Sequence, residues 1–342
     1  MRFAIVVILA ASTACVGNRP RASAVATPAC LARGGTGVRW IRTAPARETA
    51  SLDRWCRAVG PPARIDAPPA PERFTDLLAV VSWNVHVGAG DIDALVADLR
   101  SNRITAGRRP SGFVLLLQEA YRDGTDVPAQ PGSDARWASA QPGGRAANRR
   151  DEIVAAARRL QLNAVYVPSM RNGAPATRED RGNAILSTLP LSDVTAIELP
   201  LERQRRVAIL ATVTLRTSAG ASMPVDLVTT HFTNMVMHHA WLFSEPGRDR
   251  QARALARALP HEDVLVVGGD FNTWFGFHDA AYRDLAKGLQ EADQIDRRPT
   301  FGRMRLDHVL FRLPAGWHAT VARAASRYGS DHYPLVALIE AR

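Results

Sequence analysis

One pattern in the sequence constrains the fold more than any other. Short apolar runs end or begin, time after time, on a residue able to bind a metal ion or a phosphate. The clearest case is Val264-Leu-Val-Val-Gly-Gly-Asp270-Phe-Asn272-Thr273. Its β-branched and apolar residues read as a buried strand, and two glycines end it. Residues two apart on an extended chain point to the same side, so Asp270 and Asn272 share one rim at the mouth of a sheet. The other runs carry Asn84, Glu119, Asn183, His231, Asp307, Asp331 and His332. Taken singly, such a residue is more often structural than catalytic. Taken as a set, strand ends gathered at one edge make a cleft.

Between these runs the period changes. Asp91 stands as the N-cap of a helix with Ile92, Leu95, Val96 and Leu99 on one face. Residues 151–160 read as a second helix, and 248–259 as a third with Ala252, Leu255, Ala256 and Leu259 on a stripe. Nine or ten strands with a few helices predict two packed sheets flanked by helices. Residues 74–342 are expected to form one domain, and 122–150 a long Gly/Pro/Arg loop over the rim.

The chain's formal net charge of +10 invites a nucleic-acid reading, but its distribution argues otherwise. Residues 16–73 hold ten Arg against two Glu and two Asp. With Arg2, that leaves only +3 for residues 74–342. This amino-terminal stretch, 15–73, reads as an Arg/Pro-rich tether carrying a small stapled element. Ahead of it, Arg2, the apolar run 3–11 and Ser12-Thr-Ala-Cys15 form a secretory signal covering 1–14. Cleavage after Ala14 leaves two alternatives, acylation of Cys15 in a lipoprotein-like box (Ser12 stands where leucine is usual) or plain secretion. The expected location is therefore exported: periplasmic, envelope-bound or secreted. In that oxidising setting Cys30 and Cys56 are expected to pair, closing a loop worth about 3–4 kcal/mol in the chain-entropy model. A basic tether beside a lipid anchor would also favour an anionic membrane surface.

Ser82-Trp-Asn84-Val, Leu117-Gln-Glu119, Gly182-Asn183-Ala-Ile-Leu-Ser, Thr230-His231-Phe, Gly269-Asp270-Phe-Asn272, Leu306-Asp307-His-Val and Ser330-Asp331-His332-Tyr-Pro together resemble the endonuclease/exonuclease/phosphatase superfamily. The motifs occur in the family's order and cover nearly all of residues 75–340. The resemblance implies a four-layered α/β/β/α sandwich of two mixed sheets flanked by helices, and Mg²⁺-dependent hydrolysis of a phosphate ester, with Mn²⁺ as an alternative ion. Mg²⁺ prefers oxygen ligands and keeps several waters, so one or two carboxylates suffice. By resemblance Glu119 is the principal metal ligand, with Asn84 orienting it and Asp331 close by. His332 and Asp307 resemble the family's His–Asp pair, Asp270 holds or deprotonates the attacking water, and Asn272 bonds the phosphate. Either His332 or Asp270 is the base. His231 protonates the leaving oxygen or binds the phosphate. Asn183 is expected at the substrate, and so is Arg206, with neighbouring Arg205 an equal candidate for that role. His86 departs from the repair-type members, which carry Asp or Asn at that position.

The expected partner is a phosphoester, DNA or a phospholipid head group, met by a protein acting as a monomer. Nuclease action calls for a basic, aromatic groove, for which Trp137, Arg145, Arg149 and Arg150 are candidates. Sphingomyelinase or phospholipase C-like action calls for apolar anchors beside the cleft, for which Trp274-Phe-Gly-Phe277 is a candidate. Inositol-phosphate phosphatase activity and a non-enzymatic, surface-tethered binding protein of the same fold are the remaining alternatives.

Overall fold

The computed structural model describes residues 24–25, 37–68, 74, 76–129, 150–172, 177–234 and 246–341. The signal segment, Cys15, Cys30, Trp137, Arg145 and Arg149 lie outside the described residues. Among those described, two sheets pack face to face. One has seven strands in the order β1 (Ala24–Val25), β2 (Arg39–Arg42), β8 (Ser192–Glu198), β9 (Val207–Arg216), β10 (Ser222–His231), β11 (Leu265–Asp270) and β13 (Asp307–Arg312). The other has eight, in the order β12 (Gln294–Ile295), β14 (His318–Arg323), β15 (Leu335–Glu340), β4 (Leu77–Asn84), β5 (Gly112–Asp123), β7 (Glu179–Ser187), β6 (Asn163–Arg171) and β3 (Ala63–Ile65).

Alternation along each strand sorts its side chains into two cores. Leu78 and Val80 of β4, Val114 and Leu116 of β5, Ile209 and Ala211 of β9 and Val266 of β11 meet between the sheets. The opposite faces receive helices. Ala79 and Val81 pack with Leu95 and Leu99 of α2 (Ile92–Arg100) and with Ile153 and Ala157 of α3 (Ile153–Leu160). Val228, Leu265 and Val267 pack with Leu255 of α4 (Pro246–Ala258) and Leu285 of α5 (Ala280–Ala286). This is the four-layered α/β/β/α sandwich. The Asp91 side chain accepts the Ala94 N–H at 2.9 Å, capping α2 as its sequence position predicts.

Residues 37–65, expected from composition as part of a tether, instead extend both sheets. β2 runs parallel to β8, and β3 antiparallel to β6. Between them α1 (Thr49–Arg57) sets Trp55 on Met170, while Trp40, Cys56 and Val59 enter the inter-sheet core. Composition misled because the arginines here are structural. Arg42 binds both Glu198 and Asp53, and Arg64 binds the Leu191 carbonyl and Asp66. Those two charges are therefore engaged within the fold rather than offered to a membrane. Cys56 is disulfide-bonded, and Cys30, its expected partner, lies outside the described residues. The strand β8 and helix α5 also went unforeseen, because neither has an apolar run long enough to show its period.

The Gly268-Gly269 pair has a steric cause. A β-carbon at Gly268 would lie 2.8 Å from Leu116 Cδ1 and 3.0 Å from Ser82 Cβ of the facing sheet, and one at Gly269 would collide with the Thr230 carbonyl. At Gly268 the facing sheet leaves no room for a side chain, two residues before β11 delivers Asp270. Gly269→Ala is expected to cost about 1–3 kcal/mol, an overpacking penalty. Gly288→Ala, where a β-carbon meets nothing within 4 Å, should leave stability unchanged. Urea unfolding midpoints of the two variants check this.

Candidate active site

Three neighbouring strands build the first row of the site. In the strand registers His231 of β10 faces Asp270 of β11, and Asp270 faces Asp307 of β13. All three are buried. The second sheet adds Asn84 at the end of β4, opposite Gln118, and Glu119 one residue further along β5. The turn before β15 adds Asp331 and His332. Hydrogen bonds lock these pieces together, the first of them between the two sheets. Asn84 Nδ2 donates to Asp270 Oδ2 at 3.0 Å, Ser330 Oγ donates to the Asn84 carbonyl at 2.7 Å, and Trp83 Nε1 donates to the His332 carbonyl at 3.1 Å.

Four of the nine non-glycine residues with positive φ among those described lie at this rim. Glu119 has φ 53° at a bulge in β5, Asn272 has φ 53°, and His86 and Val87 have φ 48° and 52°. Left-handed backbone is tolerable for asparagine but disfavoured for a β-branched residue, and each such residue costs on the order of 1–3 kcal/mol. Hydrogen bonds over-determine the geometry. Asn84 Oδ1 accepts the His86 N–H and Asp270 Oδ1 accepts the Asn272 N–H, both at 2.9 Å.

At the centre His332 Nδ1 lies 2.8 Å from Asp307 Oδ2, and its Nε2 lies 3.8 Å from Asp270 Oδ2 and 4.0 Å from Asp331 Oδ1. Phe301 stacks on the imidazole with centroids 4.8 Å apart. Burial opposes charge on His332, but Asp307 and Asp270 outweigh it and raise its pKa to about 10. Burial and the repulsion of Asp307 raise Asp270 to about 7, against the pull of His332 and Asn84. His231 is pushed well below its ordinary value by burial and then by Arg206 and Arg181, so it is neutral. Arg206 Nη1 lies 3.1 Å from His231 Nδ1. A guanidinium can only donate, so the imidazole proton sits on Nε2, which points at Asp270 Oδ2 from 3.5 Å.

Asp270, Asp307 and His332 present ligand atoms within 4.8 Å of one another, a cluster able to hold a divalent metal. It differs from the set read from sequence, Asn84, Glu119 and Asp331. Glu119 turns to Arg181 at 3.5 Å and Asp331 to His86 at 2.8 Å. The residues fit a hard cation. Three carboxylates, of Asp270, Asp307 and Asp331, lie within 4.0 Å of the His332 ring, and Asp307 Oδ1 is buried without a hydrogen-bond partner, which is a standing demand for a cation or a water. His86, flagged as a departure, thus stands against Asp331 in the field of Glu119, which together raise its pKa.

Asn183, expected at the substrate, donates its amide to the Val207 carbonyl at 2.8 Å and ties the two sheets together. Asn272 Nδ2 donates to the Phe232 carbonyl at 2.9 Å. Arg205 is structural, bound to Glu198 and the Pro168 carbonyl. Arg206 is buried beside His231. Sequence reasoning missed Phe301, Thr300, whose hydroxyl accepts the Asp307 N–H, and Arg181. Only Arg181 carried a signal. It stands two before Asn183 on β7 and so shares its inward face.

Residues 81–332 match the endonuclease/exonuclease/phosphatase family, and the chain belongs to it. The likenesses to solved structures are distant. An endonuclease/exonuclease/phosphatase protein from Beutenbergia cavernae is 20% identical, with a TM-score of 0.49 over 78% of this chain and 72% of that one. The beta toxin of Staphylococcus aureus is 15% identical, with a TM-score of 0.43 over 77% and 99%. A 3'-5' exonuclease of Neisseria meningitidis is 18% identical, with a TM-score of 0.44 over 76% and 98%. No curated protein matches the sequence.

Asp307 sets the charge on His332. In Asp307→Asn the imidazole loses its carboxylate partner, and its pKa is expected to fall by about one unit or more. It would then shed its proton at lower pH than in the parent. Titration of the His332 ring in metal-free protein by NMR measures this, and an unmoved midpoint would contradict it.

Proposed function

We propose that this protein is an exported, metal-dependent phosphodiesterase that attacks its substrate's phosphorus in line with activated water. The observation that carries the reading is Asp270, a buried carboxylate whose Oδ2 lies 3.5 Å from His231 Nε2 and 3.8 Å from His332 Nε2, beside the part-exposed carboxylates Glu119 and Asp331. Glu119 and Asp331, with Asn84, are the residues proposed to hold Mg²⁺, as the resemblance implies, and the side chains of Glu119 and Asp331 are the part-exposed carboxylates of the site. When bound, the ion supplies Lewis-acid polarisation of the phosphoryl oxygen.

The protein's own groups divide the remaining work. Asp270, with its pKa raised to about 7, suits a base that takes the proton of the attacking water. His332, held cationic by Asp307, is poorly suited to that role and well suited to neutralising developing charge. Neutral His231 has no proton to give up at ordinary pH. Its Nε2–H instead favours donation of a hydrogen bond to a phosphoryl oxygen, the second of the two roles its position suggested. As water's oxygen bonds to phosphorus and its proton passes to Asp270, the ester P–O bond opposite breaks and the leaving oxygen takes up a proton from solvent.

Among substrates we favour a nucleic-acid or lipid phosphodiester. Trp274 and Phe275, directly after the Asp270–Asn272 corner, are 38% and 48% exposed, which favours an apolar or base-stacking contact beside the cleft. Export rests on the amino-terminal apolar run and Cys15. Assays of the mature protein on plasmid DNA, sphingomyelin and bis(p-nitrophenyl) phosphate, with Mg²⁺ and with chelator, separate the classes. Glu119→Ala and His332→Ala are each expected to lower the rate roughly 10²- to 10⁴-fold with folding retained. Chelator-resistant hydrolysis, or none on any phosphoester, would defeat the proposal.

A further inference from the structure

The lip of the cleft at the β14–β15 connection carries two guanidiniums that no carboxylate answers. Tyr333 follows His332 directly, and while the imidazole is buried the phenol is part-exposed. The Arg323 guanidinium lies 3.9 Å from the centroid of the Tyr333 ring, and that of Arg327 lies 4.6 Å from it. Arg323 gives one N–H to the Pro299 carbonyl at 3.1 Å, and its Nε is buried without a partner. Arg327 is exposed. Among the described residues no carboxylate lies within 4 Å of either guanidinium. A hydrogen bond from Arg327, and then the charges of both arginines, draw the Tyr333 phenol below its ordinary pKa.

Two similar stacks elsewhere in the fold are neutralised. Arg150 stacks on Tyr121 and binds Glu179 at 3.1 Å, and Arg297 stacks on Phe277 and binds Glu291 at 2.6 Å. At the lip the carboxylates are already committed. Asp296 accepts Arg298 Nε at 2.9 Å and the Arg323 backbone N–H at 3.1 Å, and Asp331 faces His86 at 2.8 Å. Two like charges drawn to one ring repel each other, and an anion shared between them relieves that repulsion. The exposed neighbours Ala325 and Ser326 are small, and the exposed large hydrophobics, Phe74, Trp274 and Phe275, belong to other segments. The patch therefore lacks the apolar anchors that seat a protein in a bilayer. It suits a partner held by its phosphates.

We propose that Arg323, Tyr333 and Arg327 form a docking site outside the cleft for the backbone of a nucleic-acid strand, taking the phosphate next to the one being cleaved. Planar guanidiniums match phosphate oxygens with paired N–H donors. Stacking on Tyr333 holds both forks in place beforehand, so less freedom is lost on binding. The strand then leaves over the β14–β15 connection. The groove read from the sequence is a different path, and its described arginine, Arg150, is spent on Glu179. The inference rests on the phosphodiesterase reading for the position of the scissile phosphate, but strand binding tests it without catalysis.

The probe is a fluorescein-labelled oligothymidylate of about twelve nucleotides, titrated by anisotropy into the full-length protein in chelator over a range of salt. Saturable binding by the parent is expected. Arg327→Gln should weaken it about tenfold at low salt and reduce the slope of log K against log salt by roughly 0.7, one phosphate contact on a single strand. Arg327→Lys should keep the slope and lose part of the affinity. With Mg²⁺, Arg327→Gln should lower kcat/KM for the oligonucleotide more than for thymidylyl-thymidine, whose single phosphate leaves the lip empty. Arg323→Gln should add to the loss; Arg323 is part-buried, so exposed Arg327 carries the comparison if that variant fails to fold. Oligonucleotide binding with the parent's affinity and slope in both Arg327→Gln and Arg327→Glu would refute the site, whatever the protein hydrolyses. Vesicles of phosphatidylglycerol and phosphatidylcholine in equal parts form the second arm. A parent that binds these and no oligonucleotide, and loses them in Arg327→Gln, would overturn the nucleic-acid assignment in favour of a lipid surface. The expected loss of slope in a protein that hydrolyses no phosphoester would uphold the site and sink only the enzymatic reading.

Discussion

Two carboxylates stand side by side in the interior, and the site is arranged around their repulsion. Asp270 and Asp307 are register partners on adjacent strands, so their separation is set by the sheet itself. Left alone, one of them would have to stay protonated. Each is instead given a different set of partners. Asp307 receives the His332 ring, which it holds positive, while its backbone N–H donates to the Thr300 hydroxyl. Asp270 receives the amide of Asn84 from the opposite sheet and the backbone N–H of Asn272. The outcome is a charged histidine and a carboxylate poised near neutrality, produced by one pair of neighbouring strands.

That arrangement depends on close contact between the sheets at Gly268. Gly268 and Gly269 let β11 lie against Ser82, Leu116 and Thr230, which brings Asn84 of one sheet within bonding distance of Asp270 of the other. Gln118 Nε2 reaches Thr229 Oγ1 and Asn183 Nδ2 reaches the Val207 carbonyl in the same interlayer. These polar ties between apolar faces fix the relative position of the sheets, where hydrophobic contact alone would leave it free to slide. The strained backbone at His86, Val87, Glu119 and Asn272 persists because these bonds hold it, and it lies around the carboxylate cleft.

The sandwich, its order of motifs and most of the cleft were legible in the residues. Short continuous apolar runs with polar ends located β4, β5, β7, β10 and β11, and the Asp91 cap located α2. The amino-terminal segment was not legible. Its many arginines and prolines imitate a linker, and only the fold shows Arg42 spent on Glu198 and Trp40 buried in the core. A charged residue's composition value says nothing about whether a partner 156 positions away will claim it.

Within the site the division is the same. Residue type and order along the chain determined which groups could do chemistry, because carboxylates, imidazoles and amides at strand ends carry that capacity wherever they stand. Only the tertiary structure decided what each one does. Register set Asp270 beside Asp307, burial and Arg206 kept His231 neutral with its proton on Nε2, and Asn183 was turned inward to the Val207 carbonyl. Protonation and hydrogen-bond direction depend on distance and desolvation, and those exist only once both sheets have met.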